Sequence, residues 1–179
     1  MEEKIQMKKI AMILACVMLF AAMAGCGANA GGSDAVTAPE GTPSELIAKL
    51  YENVKVELPV QDIPLDLTDG YTVATFLGGE DATGVKEATA SESMMGAQAY
   101  SLVVARCDSA EAADKLADQM FNNIDTRKWI CVEATEKQAV VCGDVVMFIM
   151  LDPQLGVTTD QFVEAFTTVC GGTVSRVVK

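Results

Sequence analysis

Cysteine and carboxylate are the reactive groups this chain carries in number. Its 179 residues include six cysteines and 25 acidic side chains, against 13 basic ones and no histidine. Without imidazole, the commonest general base, the commonest metal ligand and the Ser–His and Cys–His nucleophile pairs are all missing. Acid–base chemistry would fall to two Asp or Glu carboxyls facing each other across a cleft, and no spacing here nominates a pair. Asp62, Asp66 and Asp69 recur through one stretch. Their spacing is not that of a calcium loop, and they read as solvated turn residues. Asp152 with Glu164 lacks the intervening ligands for the same role. No metal or cofactor is expected.

Four cysteines, Cys107, Cys131, Cys142 and Cys170, follow the N-terminal region. None forms a C-x-x-C, so zinc and thioredoxin-like chemistry have little support. Outside the cytoplasm four cysteines allow two disulfides in three pairings. One bridge can be drawn: if strands at 129–134 and 138–142 pair with Ala134 facing Ala139, Cys131 faces Cys142. A slip of one residue puts the two on opposite faces. Each cysteine also sits in or beside an apolar segment, where unreactive buried cysteine is found. Two further clusters are candidate ligand contacts. Trp129, the single tryptophan, stands beside Arg127 and Lys128, a combination that can grip an acidic or sugar ligand. Met94 and Met95 can mark an adaptable binding surface. The competing expectation makes Trp129 and the methionines core residues at strand entrances.

The two remaining cysteines lie near the N-terminus. Residues 7–26 read MKKIAMILACVMLFAAMAGC: two lysines, an apolar run, then small residues ending on Cys26. The apolar run 10–24 is short of the roughly 20 residues a membrane-spanning helix needs. Met7 reads as the true start, because acidic residues precede the lysines in 1–6. Met23-Ala24-Gly25-Cys26 resembles a bacterial lipobox, in which the cysteine sulfur receives a diacylglycerol and the leader is cut just before it. The resemblance implies a signal peptide over 1–25 and a lipidated Cys26 whose acyl chains hold the protein to the membrane. Cys16 is filler in the apolar run. Residues 26–41 are Gly- and Ala-rich without apolar periodicity and read as a flexible tether.

Residues 42–179 must then supply any site. Removing residues 1–25, which carry three lysines and two glutamates, leaves a net charge of -13. An acidic surface repels phosphate backbones, so nucleic acid is not an expected partner. A capping box at Thr42 and Glu45, with Pro43 between them, opens an N-terminal helix carrying Ile47, Leu50, Tyr51 and Val54. Residues 58–84 are broken by Pro59 and Pro64; 71–76 is helix or strand, and 85–92 an edge strand. Residues 99–106 read as a strand. Asp108 caps a helix running to about Asp125, with Ala113, Leu116, Ala117, Met120, Phe121 and Ile124 along one stripe. QAVVC and VVMFIML flank Gly143-Asp144 as a hairpin with Cys142 opposite Val145. The second of these strands is apolar throughout and should be central. Thr158 and Gln161 open a last helix, stopped by Gly171 and Gly172, and 173–178 suits a short final strand. The fold class is α+β: one mainly antiparallel sheet with helices packed on it, a β-α-β-β-α core preceded by an N-terminal helix.

The stretches SESMMGAQAYSLVVAR, DTRKWICV, CGDVVMFIM and QFVEAF resemble small lipoproteins of anaerobic Gram-positive bacteria with a C-terminal domain of unknown function. The likeness covers residues 42–176 in layout and supplies no catalytic residues. It implies a membrane-anchored extracytoplasmic lipoprotein, with relatives near genes for surface acylation or transport. The expected function is a non-enzymatic binding or accessory module of the cell envelope. It would be held to the membrane by the lipid on Cys26 and would meet an envelope protein. The competing expectation is an envelope enzyme using Asp or Glu carboxylates.

Overall fold

A computed structural model describes residues 36–179; the expected signal peptide over 1–25, Cys26 and most of the expected tether lie outside the described residues. In chain order the elements are α1 (Pro43–Asn53), β1 (Val60–Pro64), α2 (Gly70–Leu77), β2 (Val85–Ser93), β3 (Tyr100–Cys107), α3 (Ala110–Asn123), β4 (Glu136–Cys142), β5 (Val145–Leu151), a 3-10 turn (Pro153–Leu155), α4 (Thr159–Val169) and β6 (Arg176–Val178). No helix among the described residues is long and apolar enough to cross a membrane.

The six strands form one antiparallel sheet in the order β1-β2-β3-β5-β4-β6. The α+β expectation holds, and β5 is central, buried at every position. A strand apolar on both faces must be covered twice, and it is. The row Ile63–Ala90–Val103–Phe148–Ala139–Val178 crosses all six strands on one face. Small residues there, Ala88, Ala90, Ala105 and Ala139, let the Ala113–Leu116–Ala117–Met120 stripe of α3 approach closely, with Val73 and Leu77 of α2 beside it. On the other face Leu102, Val104, Val140, Met147 and Ile149 meet Leu46, Ile47 and Leu50 of α1 and Phe162, Ala165 and Phe166 of α4. Tyr100 packs on Phe162 with ring centroids 5.9 Å apart.

The caps largely follow the sequence reading. Glu45 Oε2 accepts from Thr42 N at 2.8 Å, and Gln161 Oε1 from Thr158 N at 2.9 Å. At α3 the capping side chain is Ser109, which accepts from Ala112 N at 3.1 Å, in place of Asp108.

Four further expectations are corrected. β2 is internal, flanked by β1 and β3; its alternation is broken by a bulge between Val85 and Glu87 and by Thr89 and Ser91, polar yet buried. The edge is β1, a strand ending on Pro64, where a missing N–H costs no ladder bond to a further strand. Residues 129–134 form no strand, and the free edge of β4 is taken by β6. The premise of a Cys131–Cys142 bridge therefore fails: Cys131 is exposed in a loop, Cys142 is buried in β4, and both are free.

The fourth correction concerns residues 36–41, read from composition as tether. They form a strap docked across the β4–β5 hairpin end. The Arg106 guanidinium donates to Pro39 O (2.8 Å) and Gly41 O (2.7 Å) and pairs with Asp144 at 2.9 Å. The Cys142 thiol lies 3.5 Å from Thr37 O. Ala38 sits so close to the turn that a Cβ on Gly143, already at φ +58°, would lie 2.7 Å from Ala38 N.

Candidate functional site

The sheet has two ends. The hairpin end carries Gly143, Asp144, Arg106 and the strap. The opposite, distal end carries Glu92 and Ser93 closing β2, Tyr100 opening β3, and Leu151 closing β5. Helix α3 runs between them, so its C-terminus and the loop 124–135 lie at the distal end. Two amides at that terminus hold α2 in place: Gln119 Nε2 donates to Leu77 O and Asn123 Nδ2 to Gly78 O, both at 2.9 Å. These bonds satisfy carbonyls that a helix leaves unpaired at its C-terminus.

The result is an open recess of about 530 Å3, lined by α2 (Tyr71, Ala74, Thr75, Phe76), Glu92 of β2, Asn123, and Asp125, Lys128 and Trp129 of the loop. Its floor is ionic. Glu92 and Ser101 are opposite each other in the β2–β3 register and so share a face. Lys128 Nζ reaches both, donating to Glu92 Oε1 at 2.9 Å and to Ser101 Oγ at 3.0 Å. The same ammonium lies 4.4 Å from the centre of the Phe76 ring and 5.2 Å from that of Trp129, within cation–π range. Burial pulls the Lys128 ammonium below the usual lysine range, and the Glu92 carboxylate opposes it. The ammonium thus carries a carboxylate, a hydroxyl and two ring faces. It offers no free charge to an anionic ligand.

The rim is apolar. Among the described residues the large hydrophobic side chains left exposed are Tyr71 (79 %), Met94 (64 %), Met95 (51 %), Ile130 (98 %) and Val177 (37 %). The first four stand at the distal end: Tyr71 lines the recess, Ile130 follows Trp129, and Met94 and Met95 open the turn after β2. Ser93 Oγ accepts from Met95 N at 3.1 Å and donates to Gln98, which shapes that turn. Met94 and Met95 are thus surface residues and not core. Trp129 is half-buried, packed on the α3-side core with one side in the recess. Arg127 does not line it; its guanidinium reaches toward Glu133 at 3.9 Å across the exposed loop.

Of the candidates nominated from sequence, Arg127, Trp129, Met94 and Met95, the recess lining holds Trp129; its other members Glu92, Phe76 and Tyr71 were missed. Glu92 sits in the polar run TASES, where nothing distinguishes a paired carboxylate from a solvated one. Tyr71 and Phe76 lie in the stretch where helix and strand were indistinguishable. The aspartates of that stretch are turn residues: Asp66 accepts from Thr68 N, and Asp69 caps α2 by accepting from Thr72 N, both at 2.9 Å. No cluster of three metal-ligating side chains occurs among the described residues. No family model matches the chain, and neither a curated protein nor a solved structure does.

Proposed function

We propose that this chain is a membrane-anchored extracytoplasmic lipoprotein whose distal end docks an envelope protein through the Tyr71–Met94–Met95–Ile130 rim. The observation that carries the reading is that, among the described residues, four of the five exposed large hydrophobics stand at one end of the sheet, with Tyr71 lining the recess itself. Exposed apolar patches ringed by polar residues mark interaction sites, and aromatic residues and Met are enriched in protein interfaces. The lipobox resemblance supports the anchor. So does the likeness to small lipoproteins of anaerobic Gram-positive bacteria, which suggests machinery for surface acylation or transport as the partner's class.

The described chain begins at the hairpin end, where the strap docks, and the eight residues of β3, at about 3.3 Å each, set the recess about 25 Å farther along the sheet.

The enzymatic alternative receives no matching observation. Both carboxylates of the recess are engaged, Glu92 with Lys128 and Asp125 with the Arg127 N–H at 2.8 Å. Co-isolation of the membrane-extracted chain tests the docking reading. A defined envelope protein should accompany the parent chain and be lost from Met94→Asp and Ile130→Asp, which lie on the surface and should fold normally. Recovery of the parent chain without a partner contradicts it, as does a partner retained by both variants.

A further inference from the structure

We infer that Cys142 and Cys170 are a redox pair: two thiols that a disulfide oxidant converts into one S–S bond, clipping the end of α4 to the end of β4. This stands independently of the docking site. Cys142 is the last residue of β4 and Cys170 caps the C-terminus of α4. The chain after Cys170 turns back through Gly171 and Gly172, both at positive φ. It then runs beside β4, with Ser175 N donating to Val141 O at 2.7 Å. That return brings Thr173 O to 3.9 Å from the Cys142 sulfur, and Cys170 packs against the apolar cluster that contains Cys142. The two thiols lie near enough for each to shift the acidity of the other. The other two cysteines among the described residues are placed elsewhere, Cys131 exposed in the distal loop and Cys107 buried at the end of β3.

The chemistry balances as thiol–disulfide exchange. One thiol, deprotonated, attacks the oxidant's disulfide and releases a thiolate. The second attacks the mixed disulfide and releases the other. The pair gives up two protons and two electrons, and the oxidant is reduced to two thiols. Such oxidants, whether low-molecular-weight disulfides or disulfide oxidoreductases, act outside the cytoplasm. Burial pushes both thiols up, so little thiolate exists at neutral pH and the exchange should be slow, quickening as pH rises. Oxidation also removes the S–H that Cys142 offers to Thr37 O at 3.5 Å. The clip therefore forms at the cost of one tie to the strap.

The test uses the full chain in detergent, incubated with oxidised glutathione at mildly alkaline pH. Remaining thiols are then alkylated and the protein is digested for mass spectrometry. The expected product is a peptide joining Cys142 to Cys170, two hydrogens lighter than its parts. Cys131 should carry glutathione or the alkylating group. Cys131→Ser should leave the link intact and Cys170→Ser should abolish it. The oxidised parent should melt higher than the reduced one, and Cys170→Ser should lose that difference. A chain in which Cys142 and Cys170 are alkylated separately after oxidation overturns the proposal, as does a link from Cys142 to Cys131.

Discussion

The Lys128 ammonium and the Glu92 carboxylate meet 2.9 Å apart with only 12 % and 15 % of their side chains exposed. They come from a loop and a strand 36 residues apart, so the pair fixes the loop to the sheet and with it the position of Trp129. Removing one member of a buried pair leaves the other uncompensated. Glu92→Gln should cost about 2–4 kcal/mol in denaturant unfolding at neutral pH. The double variant Glu92→Gln with Lys128→Met should recover part of that. The pH dependence has a definite sign. Burial depresses Lys128 in the folded state, so its protonated form opposes folding at low and neutral pH. That penalty is relieved as pH rises through the folded pKa toward the unfolded value of 10.5. Without Glu92 the depression deepens, so Glu92→Gln should regain stability at lower pH than the parent does.

A second network crosses from α1 to the sheet. The Tyr51 hydroxyl donates to Ser91 Oγ at 2.8 Å and lies 2.9 Å from the Tyr100 hydroxyl. Ser91 and Tyr100 are fully buried. Tyr51→Phe leaves both without this partner and should cost about 1–3 kcal/mol. Burial raises the pKa of both tyrosines. Their contribution is thus complete below the unfolded value of 10.0 and is lost as pH climbs above it. Chemical denaturation midpoints should therefore fall above pH 10, less steeply in Tyr51→Phe.

Arg106 ties the strap to the hairpin through two carbonyls and one carboxylate. Arg106→Met deletes all three bonds and leaves Asp144 without its cation. The expected loss is about 2–4 kcal/mol. Amide exchange is the sharper readout. Hydrogens in 37–41 should exchange faster in the variant, while β5 amides keep near-parent protection. Equal acceleration across the sheet would show that Arg106 supports the whole fold and not the strap.

Legibility in the sequence followed the number of agreeing signals. β5 and its hairpin were readable because seven successive apolar residues and a Gly-Asp turn permit few alternatives. α1, α3 and α4 were readable because a cap and an apolar stripe coincide in each. The strap was not, because Thr37, Ala38 and Pro39 are held through main-chain carbonyls and close approach, which side-chain pattern does not encode. β1 was hidden by Pro59 and Pro64, and β2 looked like an edge because Thr89 and Ser91 are polar. What buries Ser91 is a hydroxyl 40 residues away on α1. The site was half legible for the same reason. Trp129 and the methionines are conspicuous by type, but Glu92 and Phe76 join them only through the placement of α2 and the β2–β3 register.

Site-specific photo-crosslinking in cells tests the docking reading most directly. A photoreactive residue is placed in turn at Met94 and Ile130 at the distal end, and at exposed Lys86 and Glu111 at the hairpin end. The account predicts one and the same crosslinked envelope protein from both rim positions and none from the two controls. It also predicts that Cys26→Ser abolishes the product together with membrane association. No crosslink from the rim, or the same product from all four positions, would contradict it.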